Sequence, residues 1–426
     1  MLRLAPLLAL LAVSASAQTA MELGQAGRYA EAAALAEQTL ADADAGSDRA
    51  CEALVHASLS RTFDGEADRA RPHLARFDAE CADAGPEWGA RAIDRVREAI
   101  ERDPFVAPPM STRPPASAAG DEWPVADDPV ALGLDADALA DHADVCARSG
   151  AAACVVVWRG QIVQELYAPS YAEPIEAMSS TKSVAGLLAG MLIGEGALTA
   201  DDPVAAYVPE WTAGAEAGVT VRHLLTMTSG LQSSHTDRPR TSVVGGVSDK
   251  DSLVATLPLV DPPGTAWAYS NEGTYLLSPV LQRAAGEPLE AYAARELFEP
   301  LGMENTRLHV YPDGQAWTHS TMWTTPRDLA RIGQLMLDGG RWNGEAVVPA
   351  DWVAESVRPS QTINPAYGLL WWLDAPEGFA ARGYLDTNLY VLPERDLVVV
   401  RMQAQPTPGA RRYEQAAFEV FRRLAD

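Results

Sequence analysis

The chain has 426 residues, 47% of them hydrophobic, and a formal net charge of −25. That length exceeds one small domain, and that apolar content excludes a wholly disordered protein. An acidic surface of this size repels phosphate backbones, so nucleic acid is not an expected partner.

Residues 1–20 have the layout of a secretory signal. Arg3 supplies the positive start, residues 4–13 the apolar core, and Ala15-Ser16-Ala17 a small-residue cleavage site. The apolar core is too short to span a bilayer. The expectation is a signal peptide over 1–17 and a secreted or periplasmic mature protein with no membrane span; an uncleaved N-terminal anchor is the alternative. Four cysteines, Cys51, Cys81, Cys146 and Cys154, suit an oxidising compartment. They allow three pairings, of which proximity favours Cys51–Cys81 and Cys146–Cys154. No cysteine–histidine cluster has zinc-finger spacing and no His-Glu-x-x-His occurs, so neither metal nor cofactor is expected.

Residues 18–104 are alanine-rich and helical in period. Gly27-Arg28-Tyr29 with Glu31 and Ala32, and more weakly Gly65-Glu66-Ala67, resemble the second helix of a tetratricopeptide repeat. Two readings stand: a module that binds a protein partner or shields substrate, and a small helical bundle stapled by a disulfide. Prolines at 108, 109, 114, 115 and 124 stiffen a linker over 105–128. The second domain, 129–426, follows.

Its first elements are a helix over 134–149 and a β-hairpin of strands 154–158 and 161–167, turning at Arg159-Gly160. Apolar residues at helical spacing then predict a helix over 184–196. Further helices are expected over 221–228 with Thr220 as cap, 272–285, 288–297, and 326–338 with Thr325 as cap and proline at the first turn. Strands return at 367–373, 380–384, 388–392 and 397–402, and a helix over 412–424 ends the chain. Strands at both ends with helices between imply an α/β (α+β) fold, an antiparallel sheet flanked by helices and interrupted by an all-helical insertion. A cleft between sheet and insertion is a natural ligand site.

Two motifs carry chemistry. Ser179 and Lys182 lie one turn apart at the mouth of the 184–196 helix, the arrangement of an activated serine nucleophile; an N-cap serine followed by a solvated lysine has the same spacing. Lys182 and Lys250 are the two lysines in the chain. A lysine kept among so many arginines suits a compact ammonium of tunable pKa. The second motif is Tyr269-Ser270-Asn271. A phenol titrating near about 10 is a poor base, and an adjacent ammonium would lower it. Ser179, Lys182 and Tyr269 are thus candidates for nucleophile, electrostatic modulator and base.

From residue 134 onward the chain resembles the serine β-lactamase and penicillin-binding-protein superfamily, in its class C-like branch of esterases, D-alanyl carboxypeptidases and 6-aminohexanoate-dimer hydrolases. Ser-Ser-Thr-Lys at 179–182, Ala-Asp-Asp-Pro-Val from 200, Val-Arg-His-Leu-Leu-Thr-Met-Thr-Ser-Gly from 221, Tyr-Ser-Asn at 269–271, Pro-Leu-Gly-Met from 300 and Arg-Asp-Leu-Ala-Arg from 327 occur in the family's order. The resemblance implies a β-lactamase/transpeptidase-like fold and acyl transfer through a serine acyl-enzyme on an ester, amide or peptide-like substrate. Ser179 would attack, Lys182 would hold the proton network, and Tyr269 would be base and then acid. Asn271 would orient substrate, and an oxyanion donor would lie near Gly383-Tyr384.

The third motif departs from the family. Where Lys-Thr-Gly or His-x-Gly is common, the chain reads Ala381-Arg382-Gly383-Tyr384, and Asp386 stands where glycine is usual. Arg382 is either a carboxylate-binding substitute or a solvated strand arginine. An esterase or amidase is therefore favoured over a true β-lactamase or D-alanyl carboxypeptidase, and the altered motif also fits a non-catalytic binding protein. His235, His319, Trp323, Trp371 and Trp372 are further candidates for the cleft wall, with loop or core packing as their ordinary use.

Overall fold

The structure, a computed structural model, describes residues 29–63, 67–81, 93–94, 97, 107–115, 123–208, 218–232, 257–311, 314–405, 407, 410 and 413–424. The expected signal segment, part of the linker, the His235 loop and Lys250 lie outside the described residues. The chain separates into two compact units. One holds residues 1–107 with 148–150 and 406–416; the other holds 108–147, 151–405 and 417–426.

The first unit contains helices α1 (Tyr29–Ala41), α2 (Asp48–Phe63) and α3 (Ala67–Glu80). Alanine-rich faces let them approach closely around Leu40, Leu54, Val55 and Phe77. The Cys51–Cys81 disulfide ties α2 to the end of α3, and Arg61 forks onto Glu37 with two 2.8 Å bonds.

The second unit opens with α4 (Ala136–Arg148), joined by the Cys146–Cys154 disulfide to β1 (Ala153–Trp158). β1 turns into β2 (Gln161–Tyr167), and the short β3 (Ile175–Glu176) precedes α5 (Thr181–Gly194). Helices α6 (Val221–Leu225), α7 (Asn271–Tyr275), α8 (Leu277–Ala285) and α9 (Leu289–Ala293) form the helical side. After β4 (Arg307–Leu308), β5 (Met322–Thr324), α10 (Pro326–Leu337), β6 (Arg341–Trp342), β7 (Glu345–Ala346) and α11 (Ala350–Ser356), the chain returns to the sheet as β8 (Phe379–Gly383), β9 (Thr387–Leu392) and β10 (Leu397–Met402). Helix α12 (Tyr413–Leu424) follows.

The main sheet has the antiparallel order β2-β1-β10-β9-β8. Its central strands are buried along their whole length, which is why they read as unbroken valine and leucine runs: helices cover both faces. α10 packs on one face through Gly333, where a Cβ would fall 2.5 Å from Val398 Cγ1. On the other face Tyr390 meets Phe418 and Phe421 of α12.

Past its polar first turn α5 is apolar and buried, as a central helix should be. Gly190 faces α11, where a Cβ would land inside the Trp352 ring, and Trp352 donates its indole N–H to the Gly186 carbonyl at 2.9 Å.

Three expectations require correction. Residues 367–373 form turns with isolated bridges rather than a strand, because Leu370 adopts a left-handed φ of 62° and Trp371 is buried by packing instead of pairing. The single helix expected over 272–285 breaks at Leu276 into α7 and α8. The stretch after α5, expected as an all-helical insertion, also holds β4 and β5, which join β3 in a small sheet. Strands of two or three residues carry no readable period.

Candidate active site

The chain enters α5 through a 3₁₀ turn, Met178–Ser180, with Met178 at a left-handed φ of 51°. Strain of this kind persists where surrounding contacts over-determine the backbone. The neighbouring hydroxyls are that anchorage. Ser180 donates to the Thr387 carbonyl at 2.8 Å, Thr181 to the Met178 carbonyl at 2.6 Å, and Ser183 to the Leu370 carbonyl at 2.7 Å. Ser179 is left with its Oγ on the catalytic groups.

Lys182, 2% exposed, reaches back one turn along α5. Its Nζ donates to Ser179 Oγ at 3.1 Å, to Asn271 Oδ1 at 2.7 Å and to the His319 carbonyl at 2.6 Å. Burial pushes the lysine down to about 7, while the Glu272 carboxylate acts in the opposite sense. Tyr269 hydrogen-bonds Ser179, and burial pushes its phenol up to about 12 despite that bond. The expectation that Lys182 would lower the phenol is therefore overturned. Nζ lies 5.0 Å from the centre of the Tyr269 ring, over its face, and desolvation outweighs the Ser179 hydrogen bond that lowers the phenol.

Asn271 opens α7, with Ser270 as N-cap accepting from the Gly273 N–H at 2.8 Å. Its side-chain oxygen is committed to Lys182. His319 joins the site through its backbone; its ring packs between Tyr275 and Trp317, with centres 6.0 and 4.9 Å away.

β8 ends against the nucleophile turn. A Cβ on Gly383 would sit 2.7 Å from the Ala177 carbonyl and 2.9 Å from Met178 Cβ, so the approach requires glycine. The Gly383 N–H donates to Asn388 Oδ1 at 3.1 Å, which leaves Tyr384 as the oxyanion-donor candidate of the pair. Tyr384 is 70% exposed and begins a turn in which Leu385 and Asp386 have φ of 64° and 55°. Asp386 thus stands at a backbone position that favours glycine. The turn is held from beneath: Arg401, 1% exposed, donates to the Leu385 and Asp386 carbonyls at 2.5 and 3.0 Å and to Gln403 Oε1 at 2.5 Å.

Arg382 keeps 20% of its side-chain surface exposed and is not isolated. It pairs with Asp374 at 2.8 Å and lies 5.7 Å over Trp372. Trp372 stacks on Tyr269 at 5.9 Å and contacts Tyr367 and Trp267, forming an aromatic wall beside the nucleophile. Trp371 instead fills the core against Phe379, and Trp323 meets Arg307 on the small sheet. Glu272, Arg401, Asn388 and Trp267 were not singled out from the sequence. Glu272 adjoins the Tyr-x-Asn motif, the one signal that could have found it.

An antiparallel sheet with helices on both faces, carrying Ser-x-x-Lys at the start of a buried helix opposite a strand edge, defines a β-lactamase/transpeptidase-like fold. The family model described as Beta-lactamase matches residues 136–421, and the chain belongs to that family; it is a serine hydrolase. It is 28% identical over 291 residues to 6-aminohexanoate-dimer hydrolase of Paenarthrobacter ureafaciens, spanning 61% of this chain and 74% of that protein. It is 30% identical over 211 residues to esterase EstB of Burkholderia gladioli, spanning 42% of this chain and 54% of that one. The fold is shared with a penicillin-binding protein from Bacillus halodurans, with TM-score 0.53 and 16% identity over 66% of this chain and 99% of that one.

Proposed function

We propose that the protein is an exported esterase or amidase working through a Ser179 acyl-enzyme. The observation that carries this reading is the buried Lys182 amine, 3.1 Å from Ser179 Oγ and held near about 7. Close to neutral pH a sizeable fraction is the free amine, a competent base, whereas a phenol near about 12 stays protonated. Lys182 takes the Ser179 proton as Oγ bonds to the substrate carbonyl carbon. The oxyanion is received by the N–H groups of Ser179 and Tyr384. As the tetrahedral species collapses, Tyr269 gives its proton to the leaving group. Water then hydrolyses the acyl-enzyme: its hydroxide joins the acyl carbon, its proton restores Tyr269, and the Lys182 ammonium returns a proton to Ser179.

The names of the relatives point to ester and amide bonds. The Arg382–Asp374 pair leaves that guanidinium already balanced, which supports substrates other than carboxylate-bearing β-lactams. Export is supported by the signal layout of residues 1–20 and by two disulfides. The test is a chromogenic short-chain ester followed before steady state, with fluorophosphonate labelling read by mass. A burst and one label on Ser179 are expected. No burst, no turnover and no label would overturn the reading, and nitrocefin turnover at ordinary β-lactamase rates would overturn the substrate class.

A further inference from the structure

We propose that Trp372, held in place by Arg382, is the positioning residue for Tyr269 and keeps its phenol aimed at Ser179. The inference rests on the reading of Tyr269 as the acid of an acyl-enzyme reaction and deepens it. In this chain the arginine of the third motif serves the proton donor, not a substrate carboxylate.

The backbone sets these groups side by side. Trp372 and Ala380 exchange two backbone hydrogen bonds, 2.9 and 2.8 Å long, as an isolated antiparallel bridge on β8. Arg382 stands two residues along β8 from Ala380, so its side chain shares that face and is a diagonal neighbour of Trp372. Its guanidinium carbon accordingly lies 5.7 Å from the centre of the Trp372 ring, over its face. Asp374 pairs with the same guanidinium at 2.8 Å, so the cation is balanced where it sits on the indole. Tyr367 and Trp267 meet the indole at steep angles, 86° and 71°, with centres 4.9 and 6.2 Å away, which leaves the ring little freedom to turn. The face so fixed stacks on Tyr269, with planes 21° apart and centres 5.9 Å apart.

The arrangement has a functional sense. The Tyr269 phenol keeps its proton at neutral pH, so what it needs is aim. Misplacement of a reacting group by 1 Å costs about 10²-fold in rate. A stacked indole that cannot turn supplies that aim to a ring which otherwise rotates about its own side-chain bonds. Trp372 and Arg382 act through Tyr269.

The test compares an ethyl ester with the nitrophenyl ester of the same acid, through kcat/KM, which reports acylation. The alkoxide must be protonated to leave, and the nitrophenolate need not be. Trp372→Leu should lower kcat/KM about 10- to 100-fold for the ethyl ester and hardly at all for the nitrophenyl ester. Trp372→Phe, which keeps a flat ring, should recover most of the loss. Equal falls with both esters, or phenylalanine no better than leucine, overturn the proposal. Arg382→Gln should cost about 2- to 5-fold on the ethyl ester, equally for a neutral acyl group and its carboxylate-bearing analogue. A loss confined to the carboxylate-bearing ester overturns the proposal and makes Arg382 a substrate binder. Tyr269 is also read without turnover, in ¹³C-tyrosine-labelled protein with Tyr269→Phe to assign its ring signal among twelve tyrosines. That signal should move in Trp372→Leu and in Arg382→Gln, and an unmoved signal in either overturns the proposal. Should Trp372→Leu not fold, Arg382→Gln decides by both readouts. A parent that shows neither turnover nor fluorophosphonate labelling fails the acyl-enzyme reading alone, since the ring signal still reports on the stack.

Discussion

The two sides of the site are built by different means. The helical side presents side chains: Ser179, Lys182, Tyr269 and Asn271 converge from the entrance and first turn of α5 and the entrance to α7. The sheet side presents backbone: Gly383 closes on the nucleophile turn, and a left-handed Leu385-Asp386 pair carries the exposed Tyr384. What keeps that side in place is buried beneath it, in Arg401, Gln403, Thr387 and Asn388. Chemistry written in side chains tolerates changes in the backbone around it, whereas chemistry written in backbone depends on the groups that pin the turn.

The strongest way to break this contrast lies on the helical side. Ser179→Ala should lower turnover at least about 10⁴-fold with little loss of stability, because it removes the bond-forming atom and no anchor. Ser180→Ala should do the opposite: fluorophosphonate labelling persists, and stability falls by about 1–2 kcal/mol as the buried Thr387 carbonyl loses its donor. Labelling of Ser179→Ala, or its loss in Ser180→Ala, would reverse the assignment.

On the sheet side the comparison is sharpened from below. Arg401→Met removes three charge-assisted bonds and leaves the Leu385 and Asp386 carbonyls short of a donor, a loss of about 3 kcal/mol or more. If the turn aims an oxyanion donor, kcat should also fall about 10²-fold while KM moves little. A stability loss with unchanged kcat in the folded fraction would separate the turn from catalysis.

The same contrast explains what could be read from the sequence. Ser-x-x-Lys and Tyr-x-Asn are short-range spacings that helix and strand geometry turn into shared direction, and valine-rich β1 and β10 announce a sheet covered on both faces. Arg401 gave no such signal. In an apolar strand one arginine reads as a solvated edge residue, and the antiparallel register that sets it opposite Asn388 is a long-range fact. The misread 367–373 run shows the converse: apolar content reports burial, and Leu370 and Trp371 are buried in turns. Glu272 was passed over because nothing local distinguishes a buried glutamate from one on a helix surface. The lysine's ionisation, too, depends on how completely β8, α7 and the 319 segment exclude water from it.

The smallest expected effect tests the turn itself. A left-handed leucine costs about 1–2 kcal/mol, and glycine relieves that at the expense of about 0.5–1 kcal/mol of unfolded-state entropy. Leu385→Gly should therefore stabilise the second unit by about 0.5–1 kcal/mol, a rise of about 2 °C in Tm. Leu385→Ala keeps the Cβ that clashes in this conformation and should bring no gain. Calorimetry of the two variants isolates backbone strain from side-chain loss, because both remove the same isobutyl group apart from one methyl. If alanine and glycine behave alike, Leu385 is not strained. If only glycine stabilises and kcat falls with it, the turn holds its shape at a cost that serves the oxyanion position, and Arg401 is what sustains that cost.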